Sequence, residues 1–124
     1  MQTLTENVFM GTWRSFKIFK NSGDIRLHNE MRFQEFQFTQ ERLLIITLFQ
    51  SEKKNLLART NQWNITLKNK KHFLDIGNPK MQYEVVTVNH TILVLSDISA
   101  QEKTFFAREN VWSEYIKTSK SVIL

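Results

Sequence analysis

The chain has 124 residues, 41% of them hydrophobic, with ten Phe, three Trp, no Cys and a net charge of +5. That length suits one domain, residues 1–124, with a core of its own, and the apolar share excludes disorder over most of the chain. The absence of Cys excludes disulfides, thiolate metal sites and cysteine nucleophiles. Met1 to Asn7 has neither a basic nor an apolar leader segment, and no apolar run approaches the roughly 20 residues of a membrane helix. A cytoplasmic protein without membrane insertion is the simplest expectation. The basic residues are scattered; the densest group, Lys68, Lys70 and Lys71, falls where a solvated hairpin turn is expected.

In chain order, Thr3-Leu4-Thr5-Glu6 has capping-box spacing and predicts a short helical turn before Gly11. A first strand follows from Thr12 to Lys20, closed by the turn Asn21-Ser22-Gly23-Asp24. A second runs from Glu30 to Gln40. Its alternation breaks between Phe33 and Phe36, which predicts a bulge or bend there. Leu43 to Gln50 is apolar on both faces and rich in β-branched residues, ending at the polar break Ser51 to Asn55. Leu56 to Lys68 places Leu57, Trp63, Ile65 and Leu67 on one parity. Asn69-Lys70 then turns the chain into His72 to Ile76, and Gly77-Asn78-Pro79 stops the pairing.

Tyr83 to Val88 and Ile92 to Leu95 form the clearest hairpin, around Asn89-His90, and Lys103 to Glu109 makes a last strand. The pattern is all-β: about eight antiparallel strands joined by short turns, suited to an up-and-down barrel. From Asn110 to Lys120 the residues Val111, Trp112, Tyr115 and Ile116 fall at helical spacing. A short C-terminal helix capped by Asn110 is expected there, with continued strand as the competing reading. The apolar end Val122-Ile123-Leu124 is either frayed or docked.

Reactive groups are sparse. His28, His72 and His90 share no metal-ligand spacing, Asp75 fits either face of its strand, and there is neither a Gly-rich phosphate loop nor a nucleophile elbow. A non-enzyme without metal or cofactor is expected. A basic barrel with exposed rings could bind nucleic acid. The strand count is too high for a five-stranded barrel, however, and no short run interleaves aromatics with Lys or Arg.

At Val8-Phe9-Met10-Gly11-Thr12-Trp13 the apolar lead-in and the Gly-x-Trp at the head of the first strand resemble the lipocalins and their calycin relatives. Trp63 to Leu67, Tyr83 to Val85 and Ile92 to Leu95 are similar to the second half of small bacterial lipocalin-like domains. The resemblance implies a barrel closed at one end by Gly11 and Trp13, with Arg108 at the position whose guanidinium packs over the Trp ring. The chain is shorter than a typical secreted lipocalin, and it lacks both the disulfide many of them carry and the helical pair of fatty-acid-binding proteins. The leading expectation is non-catalytic binding of a small apolar or amphipathic molecule in the barrel, lined by Phe33, Phe36, Ile46, Trp63, Tyr83, Val85 and Phe105. The alternative is a filled barrel that docks a protein partner, or a second copy, through its outer face, Trp112 and Tyr115. An apolar cavity of about 300 Å³ or more separates the two.

Overall fold

Period-two alternation lets each strand bury one face, and tight turns bring successive strands side by side. The computed structural model describes residues 6–50, 57–77 and 81–121. The strands are β1 (Gly11–Lys20), β2 (Ile25–Leu27), β3 (Arg32–Phe38), β4 (Leu43–Gln50), β5 (Leu57–Lys68), β6 (Lys71–Ile76), β7 (Met81–Val88), β8 (Ile92–Asp97) and β9 (Glu102–Arg108). A 3-10 turn, Glu6–Phe9, precedes them, and a helix, α1 (Trp112–Ser121), follows. All pairings are antiparallel: β1 pairs with β3, β3 to β9 pair in sequence, and β1 pairs with β9 to close the ring. β2 is a short ribbon on the far half of the β1 edge that β3 occupies first. The closed barrel therefore has eight strands, as the pattern predicts, with β2 as an addition. The Thr3 cap, the break at Ser51 to Asn55, the Asn78-Pro79 stop and the end Val122 to Leu124 lie outside the described residues. Among those residues no helix is long and apolar enough to cross a membrane.

Turn chemistry explains the hairpins. Asn69 and Lys70 both have positive φ, 53° and 66°, as a two-residue type I′ turn requires. Asn89 Oδ1 accepts the backbone N–H groups of Thr91 and Ile92 at 2.8 and 2.9 Å, fixing the β7–β8 turn. The helix begins at Trp112, with the Val111 carbonyl accepting the Glu114 and Tyr115 N–H groups. The cap position is thus Val111 and not Asn110.

Two apolar clusters lie on opposite sides of the wall. Inside, Phe9, Trp13, Phe36, Phe38, Leu44, Trp63, Leu74, Ile76, Leu93, Leu95 and Phe106 form the packed core. Outside, Phe16, Phe33, Ala107, Trp112 and Ile116, with Phe49, Phe105 and Tyr115 against them, seat α1 on the barrel. This resolves the broken alternation of the second strand. β3 pairs with β4 without interruption from Arg32 to Phe38, so no bulge separates Phe33 from Phe36; the two rings serve different clusters. The irregularity comes earlier. β1 pairs Lys17 with Leu27 and Arg14 with Glu35, so residues 28–34 must span what the Ser15 and Phe16 positions leave open. β1 also carries a bulge at Phe16 against β9, which turns both Phe16 and Lys17 outward.

The end at which β1 begins is plugged. Phe9 from the 3-10 turn is fully buried against Phe38 and Trp63, with ring centroids 5.7 and 6.1 Å away. Trp13, also fully buried, donates its indole N–H to the Phe9 carbonyl at 2.9 Å. Arg108 lies with its guanidinium carbon 3.9 Å from the Trp13 ring centroid and donates to the carbonyls of Met10, of Val8 at 2.5 Å and of His90 at 3.3 Å. Gly11 sits under this group with φ +108°, and a Cβ there would be 2.9 Å from Arg108 Nη1. Glycine is needed both for the backbone angle and for the close approach.

Trp13→Ala is expected to cost about 3–5 kcal/mol, read as a lower midpoint in urea denaturation. Gly11→Ala should also lower the midpoint, because it strains the backbone and displaces Arg108 together. Wild-type stability in either variant would contradict this packing.

Candidate binding site in the barrel mouth

β9 runs from Glu102 at the open end to Arg108 at the plugged end, and β8 runs back beside it to Asp97. Inward alternation places Thr104 with Phe106 on β9, Asp97 with Leu95 on β8, and Gln34 with Phe36 on β3. Together with Ile18 and Tyr83 these residues enclose a cavity of about 80 Å³. Its floor is apolar (Ile18, Phe36, Leu95 and Phe106), while its upper wall carries a carboxamide, a hydroxyl, a phenol and two carboxylates. No cationic side chain lines it.

Asp97 and Glu102 are register partners across the β8–β9 pair, which brings two like charges to one rim. Asp97 Oδ1 is partly engaged, accepting the Ala100 N–H of the connecting turn at 3.2 Å. Tyr83 reports on the environment they make. Its phenol is pushed up to about 12, first by burial and then by the charges of Asp97 and Glu102. It therefore stays a hydroxyl donor across the physiological range.

Of the seven residues expected to line a ligand cavity, Phe36 and Tyr83 lie on the wall of this small mouth cavity. Ile46 and Val85 pack against the inner core, and Trp63 is buried at the plugged end with Phe9 and Phe38. Phe33 and Phe105 are on the outer wall: Phe33 contacts Phe49 and Trp112, and Phe105 lies near Phe16. The reason is parity, since each is one residue out of phase with its inward neighbours Phe36 and Phe106. Gln34, Asp97, Glu102 and Thr104 were not anticipated. Their signal was a polar residue on the inward parity of an otherwise apolar strand. The cavity that these inward residues enclose, about 80 Å³, is well below the roughly 300 Å³ that takes in a whole apolar ligand.

A larger hollow of about 570 Å³ lies by the outer wall where β5 leaves β4, lined by Arg42, Gln62, Trp63, Asn64, Asp75, Ile76 and Gly77. Its charges are already engaged. Arg42 pairs with Glu6 at 2.7 Å, and Asp75, on the outer face, accepts from Gln82 Nε2 at 2.7 Å. The Trp63 indole N–H has no acceptor among the described residues but is closed to solvent, so a molecule in the hollow does not reach it. The barrel mouth is the better site.

Among the described residues no three His, Asp or Glu side chains gather as a metal site. No protein-family model matches the chain, and no curated protein matches it. The structure is similar to the crystal structure of a lipocalin-like protein from Bacteroides uniformis, with a TM-score of 0.63 at 11% sequence identity, covering 82% of this chain and 98% of that one. At that identity the likeness is one of fold, and the fold is lipocalin-like.

Replacing Asp97 by Asn and Glu102 by Gln together should bring the Tyr83 phenol down from about 12, leaving only the part due to burial. Spectrophotometric titration in a Tyr115→Phe background, where Tyr83 is the remaining tyrosine, reads this directly. An unmoved titration would mean that the carboxylates do not act on the cavity.

Proposed function

We propose that the protein is a non-catalytic binding protein whose barrel mouth takes the cationic head of a small amphipathic molecule, a primary amine in the simplest case. The observation that carries this reading is the cavity lining: two carboxylates and a protonated phenol above an apolar floor, with no cation, in a chain of net charge +5. A volume of about 80 Å³ corresponds to roughly two or three water-sized groups. It suits an ammonium group and its first carbons, and it is far below the roughly 300–1,000 Å³ of pockets that enclose a drug-sized ligand.

The energetics agree in sign. An ammonium about 4 Å from one carboxylate gains roughly 4 kcal/mol at an effective dielectric near 20, before desolvation is subtracted. Two carboxylates and a phenol also offer more than one acceptor to its three N–H donors. The remainder of the ligand would leave through the mouth. Ile98, directly after Asp97 in the β8–β9 turn, is 60% exposed and offers apolar surface at that rim.

Docking of a partner through Trp112 and Tyr115 has less support, because Trp112 is buried and Tyr115 is partly buried. Trp112 is 5% exposed and donates its indole N–H to the Ser15 carbonyl at 2.9 Å. Tyr115 stacks on Phe16 with centroids 5.1 Å apart. Both rings are committed to holding α1 against the barrel.

Titration calorimetry with octylammonium, octanoate and octanol tests the reading, since the three share a chain and differ in head group. Octylammonium is expected to bind, octanoate not to, and octanol to bind more weakly than the amine. Asp97→Asn with Glu102→Gln should weaken the amine by about tenfold or more, equivalent to about 1.4 kcal/mol. Equal binding of all three, or an amine affinity indifferent to the double substitution, would overturn it.

A further inference from the structure

The wall of the barrel is held shut beside the cavity by one hydroxyl. Ser15 is the fully buried polar residue among those described, and it faces the stretch where β2 has ended and β3 has not begun. Its Oγ accepts the backbone N–H of Gln34 at 2.8 Å and lies 2.5 Å from His28 Nδ1. Among the contacts of this buried hydroxyl, Nδ1 is the acceptor within reach of its proton. Assigned in that direction, the bond makes the imidazole neutral, with its proton on Nε2. The main chain reinforces the junction, since His28 N–H donates to the Phe16 carbonyl at 3.0 Å. Ser15 thus ties both ends of the 28–34 segment to β1, and Gln34 at one end of it is a cavity-lining residue.

We propose that His28 is an acid-operated latch: protonation of its ring takes away the acceptor for the Ser15 hydroxyl, and the 28–34 segment detaches from β1 beside the barrel cavity. The chemistry is local. A protonated imidazole has two donors and no acceptor, so the Ser15 proton, buried away from water, is left unpaired. The surroundings add to the effect. The charged groups acting on the ring are Arg32 and Arg26, both cationic. β1 presents it with the Ser15 hydroxyl and the Phe16 carbonyl, while the Lys17 ammonium is turned to the Phe105 ring at 4.5 Å. On β3, Glu35 is held by Arg14 at 2.9 Å, and Glu30 lies within the 28–34 segment itself.

Burial first, then Arg32 and Arg26, lower the ring from 6.5 to about 4. Because the folded value lies below the unfolded one, the detached or unfolded chain binds more protons between them. The contribution of the latch is complete above about pH 6.5 and is lost as pH falls towards 4. It is closed at neutral pH.

Hydrogen exchange of the Gln34 amide, followed by NMR and corrected for intrinsic exchange chemistry, tests this without any ligand. The outcome is therefore independent of the amine reading. Protection of that amide should fall by about tenfold or more between pH 6.5 and 4 in the wild type, while an inner-core amide such as Leu95 holds its protection. His28→Asn supplies an acceptor oxygen near the place of Nδ1 but does not titrate, and it should keep Gln34 protected throughout. An equal loss in wild type and His28→Asn, or no loss in the wild type, would overturn the proposal. If His28→Asn does not fold, the wild type decides: Gln34 protection should fall steadily below pH 6.5 and level off at the pH where the His28 ring titrates, and a fall that ignores the ring's titration would refute the latch.

Discussion

The guanidinium of Arg108 against the Trp13 ring is the contact on which the barrel's closed end depends. It is a partly buried cation whose named partners are carbonyl oxygens, those of Met10, Val8 and His90, and the face of an indole. Burial pulls its pKa downward. Arginine tolerates this because its delocalised charge is weakly hydrated and its planar fork delivers several donors at once. A lysine ammonium could not reach three carbonyls and lie flat on a ring. The same group fixes the lead-in chain, which positions Phe9, and Phe9 fills the barrel floor between Phe38 and Trp63. Plug, floor and first strand are thus one packing unit.

At the other end the demands are reversed. No helix or aromatic plug covers the mouth among the described residues, and the inward positions there turn polar. Asp97, Glu102, Thr104 and Gln34 continue strands whose deeper inward residues are Leu95, Phe106 and Phe36. The transition from apolar to polar along one face follows the fall in burial. It leaves a small acidic cup above an aromatic core. Aromatic volume is the cause: five Phe or Trp rings within the inner face, plus Phe9, fill what smaller residues would leave open.

Ser15 connects the two halves of the molecule. Its carbonyl receives the Trp112 indole, and so seats α1, while its hydroxyl holds His28 and Gln34. The outer aromatic cluster exists because α1 needs a surface. Phe33, Phe49, Phe16 and Phe105 provide it, and Arg14 lies over the Phe33 and Trp112 rings at 5.4 and 5.3 Å while pairing with Glu35. One buried residue thus contacts wall, helix and cavity together.

The strand pattern and the hairpin turns were legible in the chain itself, and the resemblance of Gly11-Thr12-Trp13 to the lipocalin motif implied the plug and its Arg108 cover. Alternation, turn residues and a short motif are local or nearly local signals, and the eight-strand closure followed from them. The C-terminal helix was legible too, because Trp112, Tyr115 and Ile116 share a helical face. Which face of each strand met which cluster was decided only by the tertiary structure. Phe33 and Phe105 look like interior residues by composition, but a docked helix can make the outside of a barrel as apolar as its inside. Parity alone does not say which side is which. The cup of Gln34, Asp97, Glu102 and Thr104, the volume left between the rings and the sharing of one hydroxyl by His28 and Gln34 all depend on register between strands. Register is set by bulges at Phe16 and Val86 and by the interruption after Leu27. A bulge costs a single residue in sequence and leaves no composition mark, yet it moves every side chain beyond it to the other face.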